Sequence, residues 1–76
     1  MPRTIPTTPL KKLGANVRQL REKAELTQEG LAAAAGLDRT YVGGLERGER
    51  NATVQTLARV AKALGTSVSA LCKGVE

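Results

Sequence analysis

Apolar residues recur at steps of three and four along most of this chain, and that spacing predicts helices throughout. Leu13, Val17, Leu20 and Ala24 share one stripe, which predicts a first helix over about residues 10 to 24. Thr27 stands where a hydroxyl accepts from the open N–H groups of a second helix, with Leu31, Ala32 and Ala35 inward and Gly36 at its end. Asp38 is placed to cap a third helix of about residues 39 to 47, whose inward positions are Val42 and Leu45. Thr53 is placed to cap a fourth, in which Val54, Leu57, Val60, Ala61 and Leu64 keep helical spacing until Gly65. Ser67 opens a short fifth helix with an apolar face of Val68, Leu71 and Cys72. No alternating strand pattern competes.

The segment QEGLAAAAGLDRTYVGGLER, residues 28 to 47, therefore reads as helix, tight turn, helix. Ala32 suits a close helix crossing, and Gly36 permits a left-handed turn at little cost. With one Tyr, no Phe and no Trp in 76 residues, the core must be built from Leu, Val and Ala, which suits short packed helices. The N-terminal stretch MPRTIPTTP, residues 1 to 9, holds three prolines and no apolar run, so it is expected to be a flexible arm preceding a domain of residues 10 to 76.

Charge narrows the function. Twelve Lys and Arg against seven Asp and Glu give a formal +5, which points to a polyanionic partner. The single cysteine, Cys72, allows no intramolecular disulfide and suggests a reducing cytoplasm. No membrane span or signal peptide is visible. There is no His, the lone Cys has no base partner, and no carboxylates are spaced for acid-base or metal work. Catalysis, a metal and a cofactor are accordingly not expected.

The stretches LREKAELTQEGLA, LERGERN and LARVAKALGTSVSAL, with the Ala32 and Gly36 pair, resemble the phage-repressor or XRE-type helix-turn-helix family over about residues 10 to 73. DRTYVGG followed by LERGERN is similar to the controller proteins of restriction-modification systems. The resemblance implies an all-α, compact five-helix phage-repressor-like domain, with the helix-turn-helix at helices two and three. It further implies a dimeric transcription regulator of double-stranded DNA, cytoplasmic in a bacterium or phage host. Activation of its own promoter at low occupancy and repression at high occupancy would follow.

On that reading the third helix enters the major groove. Arg39 suits a bidentate contact with guanine, and Thr40 a base or a thymine methyl. Tyr41 is expected against the DNA backbone, near a flexible step. Gly43 and Gly44 admit two accounts: bare helix backbone that approaches the duplex closely, or relief of crowding against the second helix. Gln28, at a helix start, is expected to donate to a phosphate. The resemblance implies phosphate contacts at Asn51 and Thr56 and a base or phosphate contact at Arg50; Thr53 lies beside them. It also implies a structural ion pair between Arg21 and Glu46 that orients the third helix. Arg47 either reaches a phosphate or balances Glu49, while Arg18, Arg59 and Lys62 are read as solvated.

Two departures from the family pattern bear on stability. Glu25 occupies a position after the first helix where relatives place a glycine at positive φ, and Gly30 replaces a usual glutamate.

A specific site needs two recognition helices about 34 to 36 Å apart, hence a homodimer on an inverted repeat. The expected interface is Leu64, Val68, Leu71, Cys72 and Val75, although Leu71 could instead close the monomer core. With no effector domain in view, no small-molecule ligand is expected and regulation should follow protein concentration. RNA polymerase is a candidate partner without assigned residues. Competing classes are an antitoxin-type protein-binding module, whose fifth helix would hold a toxin, and a phage-type repressor.

Overall fold

A computed structural model of the chain describes residues 8–75, so residues 1–7 of the expected arm, and Glu76, lie outside the described residues. Five helices follow one another: α1 (Pro9–Lys23), α2 (Gln28–Ala35), α3 (Arg39–Glu46), α4 (Val54–Leu64) and α5 (Val68–Leu71). No strand occurs among the described residues. The first helix starts within the expected arm: Thr8 caps it, its hydroxyl accepting from Lys11 N–H at 3.1 Å, and Pro9 takes a first-turn position that has no N–H to satisfy.

The helix starts share one chemistry. Thr27, Asp38, Thr53 and Ser67 each accept a backbone N–H of the helix they precede, from Gly30, Thr40, Thr56 and Ala70 respectively. Each such bond satisfies a donor the helix cannot pair internally, worth about 1 kcal/mol against alanine.

The first four helix ends share another. After α2, α3 and α4 the chain turns through Gly36 (φ 69°), Gly48 (φ 78°) and Gly65 (φ 69°). The next N–H then reaches back into the last turn: Leu37 to Ala32 O at 2.8 Å, Glu49 to Gly44 O at 2.8 Å, Thr66 to Ala61 O at 2.9 Å. These are Schellman closures. α1 ends in the same way, with Leu26 N–H bonded to Arg21 O at 3.1 Å, but its left-handed residue is Glu25 at φ 61°. The glutamate therefore carries the positive φ expected of it, without glycine's freedom.

The core gathers Leu13 and Val17 of α1, Leu31, Ala32 and Ala35 of α2, Val42 and Leu45 of α3, Leu57, Val60 and Ala61 of α4, and Leu71 of α5. α3 packs on α1 and α2, α4 on α2, and α5 closes the remaining side against α1 and α4. Gly14, which the apolar pattern did not single out, lets α1 come onto the end of α3: a Cβ there would lie 2.5 Å from Glu46 O.

Two residues of the apolar stripes depart from expectation. Ala24 is exposed because α1 ends before it, and Val54, in the first turn of α4, is 73% exposed because nothing packs over that turn.

Candidate nucleic-acid interface

α3 presents two unlike faces. Val42 and Leu45 are fully buried, which fixes the helix on the core and turns its opposite side and N-terminal end outward. Asp38, Arg39 and Thr40 are exposed there. Among the described residues the Arg39 side chain makes no ion pair or hydrogen bond, and the Thr40 hydroxyl is likewise open; only the Thr40 backbone N–H is engaged, by Asp38 Oδ1 at 2.9 Å. Arg39 thus holds a guanidinium fork toward solvent from a fixed helical position.

Tyr41 points toward the loop that follows α3. It is half-buried, and its hydroxyl donates to the backbone carbonyl of Asn51. A shallow cleft between the starts of α3 and α4 is lined by Leu37, Tyr41, Asn51, Ala52, Thr53 and Thr56. Thr53 caps α4 by accepting Thr56 N–H at 3.1 Å, and its hydroxyl donates to the Thr56 hydroxyl at 3.1 Å. The structure therefore brings Tyr41, Asn51, Thr53 and Thr56 together beside a helix N-terminus, a setting that favours anions. Arg50 and Asn51 are exposed in the same loop.

Two expected contacts look different in place, those of the glycines and of Gln28, while Arg47 takes the second of its two readings by pairing with Glu49. The two glycines are not bare: Gly43 and Gly44 are both buried. A Cβ on Gly43 would meet Arg47 Nη1 at 3.2 Å and Gln28 Oε1 at 3.5 Å, while one on Gly44 would meet Arg50 Cγ at 2.7 Å. Gly43 is covered by Arg47, one helical turn further on, and by Gln28 of α2, while Gly44 is covered by Arg50, which the chain brings back as it turns after α3. Gln28, expected to reach outward, donates its amide to Glu46 Oε1 at 3.0 Å. Arg47 pairs with Glu49 at 3.1 Å on an exposed surface.

Beneath the interface, Arg21 and Glu46 form the expected pair, Nε to Oε2 at 2.6 Å and Nη2 to Oε1 at 3.1 Å. The hydrogen bond to Glu46 is the main cause that pushes the Arg21 pKa above its ordinary value, so the guanidinium stays charged. Arg59, read as solvated, instead donates to Ala35 O at 3.0 Å and Gly36 O at 2.6 Å, capping α2 and its turn. No local signal marks it, because Arg59 lies in the middle of α4, 23 residues along the chain from Gly36. Asn16 also escaped notice; its amide donates to Leu71 O and Lys73 O, both at 2.8 Å, tying α5 to α1.

At the other end of the molecule Leu71 is 0% exposed, so it belongs to the monomer core and leaves the expected interface set. Leu64, Val68, Cys72 and Val75 are half-buried. Among the described residues no group of His, Cys, Asp and Glu could hold a metal ion, and no helix is long and apolar enough to cross a membrane.

Two helices joined by a left-handed glycine turn, the second locked to the core on one face and offering an unpaired arginine at its exposed N-terminal end, define a helix-turn-helix domain. The chain belongs to the helix-turn-helix family, whose pattern matches residues 17–71. It is similar to control protein C.SmaI of Serratia marcescens, 54% identical over 59 residues that span 78% of this chain and 70% of that one. Control protein C.MunI of a Mycoplasma species is 38% identical over 66 residues, 86% of this chain and 89% of the relative. The crystal structure of the restriction-modification controller protein C.AhdI from Aeromonas hydrophila matches with a TM-score of 0.80 and 45% identity, covering 82% of this chain and 94% of that one.

Proposed function

We propose that this chain is the controller of a restriction-modification system, a homodimeric transcription regulator that binds an inverted repeat in double-stranded DNA. The observation that carries the reading is the open Arg39 and Thr40 pair on a helix whose other face is fixed by Val42 and Leu45. The kinship with control proteins supplies the system it serves.

Arg39 reads a guanine edge through its paired N–H groups, a contact worth about 1–3 kcal/mol of discrimination, and Thr40 contacts the adjoining base. Asn51, Thr53 and Thr56 hold a phosphate against the start of α4, and Tyr41 fixes the loop that carries Asn51 while its ring meets the sugar-phosphate chain. Arg50 adds a cation between these groups. Two copies meet through Val68, Cys72, Val75 and Leu64, and the dimer acts in the cytoplasm on a promoter where RNA polymerase is a candidate partner.

The test is selection of duplexes from a random pool, followed by titration at several salt concentrations. The enriched sequences should carry a two-fold repeat with half-sites about one DNA turn apart, and binding should weaken steeply with salt. Arg39→Ala should fold normally and lose preference for the repeat over scrambled duplex. Equal affinity of the intact protein for selected and scrambled DNA would overturn the reading.

A further inference from the structure

The adjacent glycines of α3 raise a question that groove entry does not answer, since both are covered in this structure. An interior glycine weakens a helix, and two in an eight-residue helix need a compensating role. The geometry of what covers them supplies one.

The end of α3 sets the path of the chain. Gly48 N–H bonds Leu45 O at 3.1 Å and Glu49 N–H bonds Gly44 O at 2.8 Å, so the backbone folds back over the last turn of the helix. Gly48, at φ 78°, packs on Lys11, whose Cα would lie 2.8 Å from an added Cβ. The turn is therefore fixed on both sides. Arg50 emerges from it and runs across Gly44: a Cβ at that position would meet Arg50 Cγ at 2.7 Å, Nε at 3.3 Å and Cδ at 3.5 Å. Contact along successive atoms of the stem, with Gly44 buried and Arg50 exposed, describes an arginine lying in a slot with its head open.

The neighbouring slot is occupied differently. Arg47 lies over Gly43 but is also paired with Glu49 at 3.1 Å. Arg50 has no side-chain partner among the described residues, so its guanidinium is available to a ligand.

We infer that Gly44 is a positioning residue for Arg50: its missing side chain makes the groove in which the Arg50 stem is held along the recognition helix, aimed at the DNA. The helix forgoes a side chain at that position and receives a cation from the loop behind it. Holding the stem before binding reduces the rotamer freedom lost when the contact forms. The inference rests on the DNA-binding reading above and adds a positioning residue to it.

The experiment is a double-mutant cycle of Gly44→Ala, Arg50→Ala and the double variant, on the duplex selected with the intact protein. Thermal midpoints check the fold. Arg50 can swing clear of an added methyl, so Gly44→Ala is expected to fold, and Gly44→Ser gives a second probe of the same space. Arg50→Ala should weaken binding roughly five- to hundredfold and reduce the salt slope by about 1. Gly44→Ala should lose comparable affinity and slope, and the double variant should bind no more weakly than Arg50→Ala alone.

A purely structural role for Gly44 would move the midpoint and leave the salt slope alone. Wild-type binding by Gly44→Ala, or losses that multiply in the double variant, would overturn the inference. So would an Arg50→Ala protein that binds normally, an outcome that leaves the Arg39 reading intact; failure of the intact protein to select any duplex would remove both.

Discussion

Glu46 Oε2 lies 2.6 Å from Arg21 Nε, and Oε1 of the same carboxylate accepts from Arg21 Nη2 at 3.1 Å and from Gln28 Nε2 at 3.0 Å. One buried anion thus joins α1, α2 and α3, and Arg21 Nη1 adds a bond to Leu26 O at 2.8 Å in the intervening turn. The carboxylate is 3% exposed, so removing its partner strands a charge away from water. Arg21→Ala should therefore destabilise the fold by about 3–5 kcal/mol. The exposed pair of Arg18 and Glu22 has side chains 65% and 56% accessible, and Arg18→Ala should change stability by less than about 0.5 kcal/mol. Denaturant midpoints of the two variants check the contrast; similar values would mean that Glu46 is not desolvated as the geometry indicates.

The α1–α3 crossing offers a second test. A methyl on Gly14 would press on the Leu45 and Glu46 carbonyl oxygens, backbone atoms that cannot rotate aside. Alanine improves helix propensity by about 0.5–1 kcal/mol, while overpacking costs typically about 1–3 kcal/mol. The second effect wins, so Gly14→Ala should lower the thermal midpoint. A midpoint raised by the substitution would show that α1 can lift from α3 without penalty.

Glu25 predicts the opposite sign. It holds φ 61° in a closure where α2, α3 and α4 use glycine. Releasing a non-glycine from the left-handed region regains about 1 kcal/mol, partly offset by glycine's larger freedom in the unfolded chain. Glu25→Gly should raise the midpoint by a few degrees, of the order of 4 °C for a domain this size. An unchanged midpoint would place compensating interactions at the Glu25 side chain.

What could be read from the sequence was whatever depends on near neighbours. A hydroxyl or carboxylate before an apolar run marks a helix start by local chemistry, and Thr27, Asp38, Thr53 and Ser67 were legible for that reason. Glu25 was legible through the family resemblance, which places a left-handed residue at that position after the first helix. Gly43 was legible in part, since Gln28 of α2 does lie over it, but Gly44 was not, because the reason for a glycine lies in whatever fills its space, here Arg50 brought over by a turn. Arg59 looked like any solvated cation because the carbonyls it caps, Ala35 and Gly36, are 24 and 23 residues away. The apolar face of α5 could not be divided in advance either. Which of its residues the monomer buries depends on how α5 docks.

That docking yields the last prediction. Asn16 of α1 donates to Leu71 O and Lys73 O, so α5 is held at its C-terminal end, and Leu71 is driven to full burial. Val68, Cys72 and Val75, with Leu64 of α4, are left half-buried on a firm base, the setting in which a second copy would complete the cover. Val68 is the first residue of α5, where an introduced carboxylate suits the helix dipole and should disturb the monomer least. Across a two-fold axis, however, two such carboxylates would be desolvated close together, and like charges there oppose association. Val68→Asp should therefore keep a near-normal thermal midpoint while sedimenting as a monomer. Binding to the inverted repeat should fall by roughly 10²–10⁴-fold, since the second recognition helix is no longer tethered beside the first. Affinity for an isolated half-site should be unchanged. A Val68→Asp protein that still sediments as a dimer would move the interface away from α5.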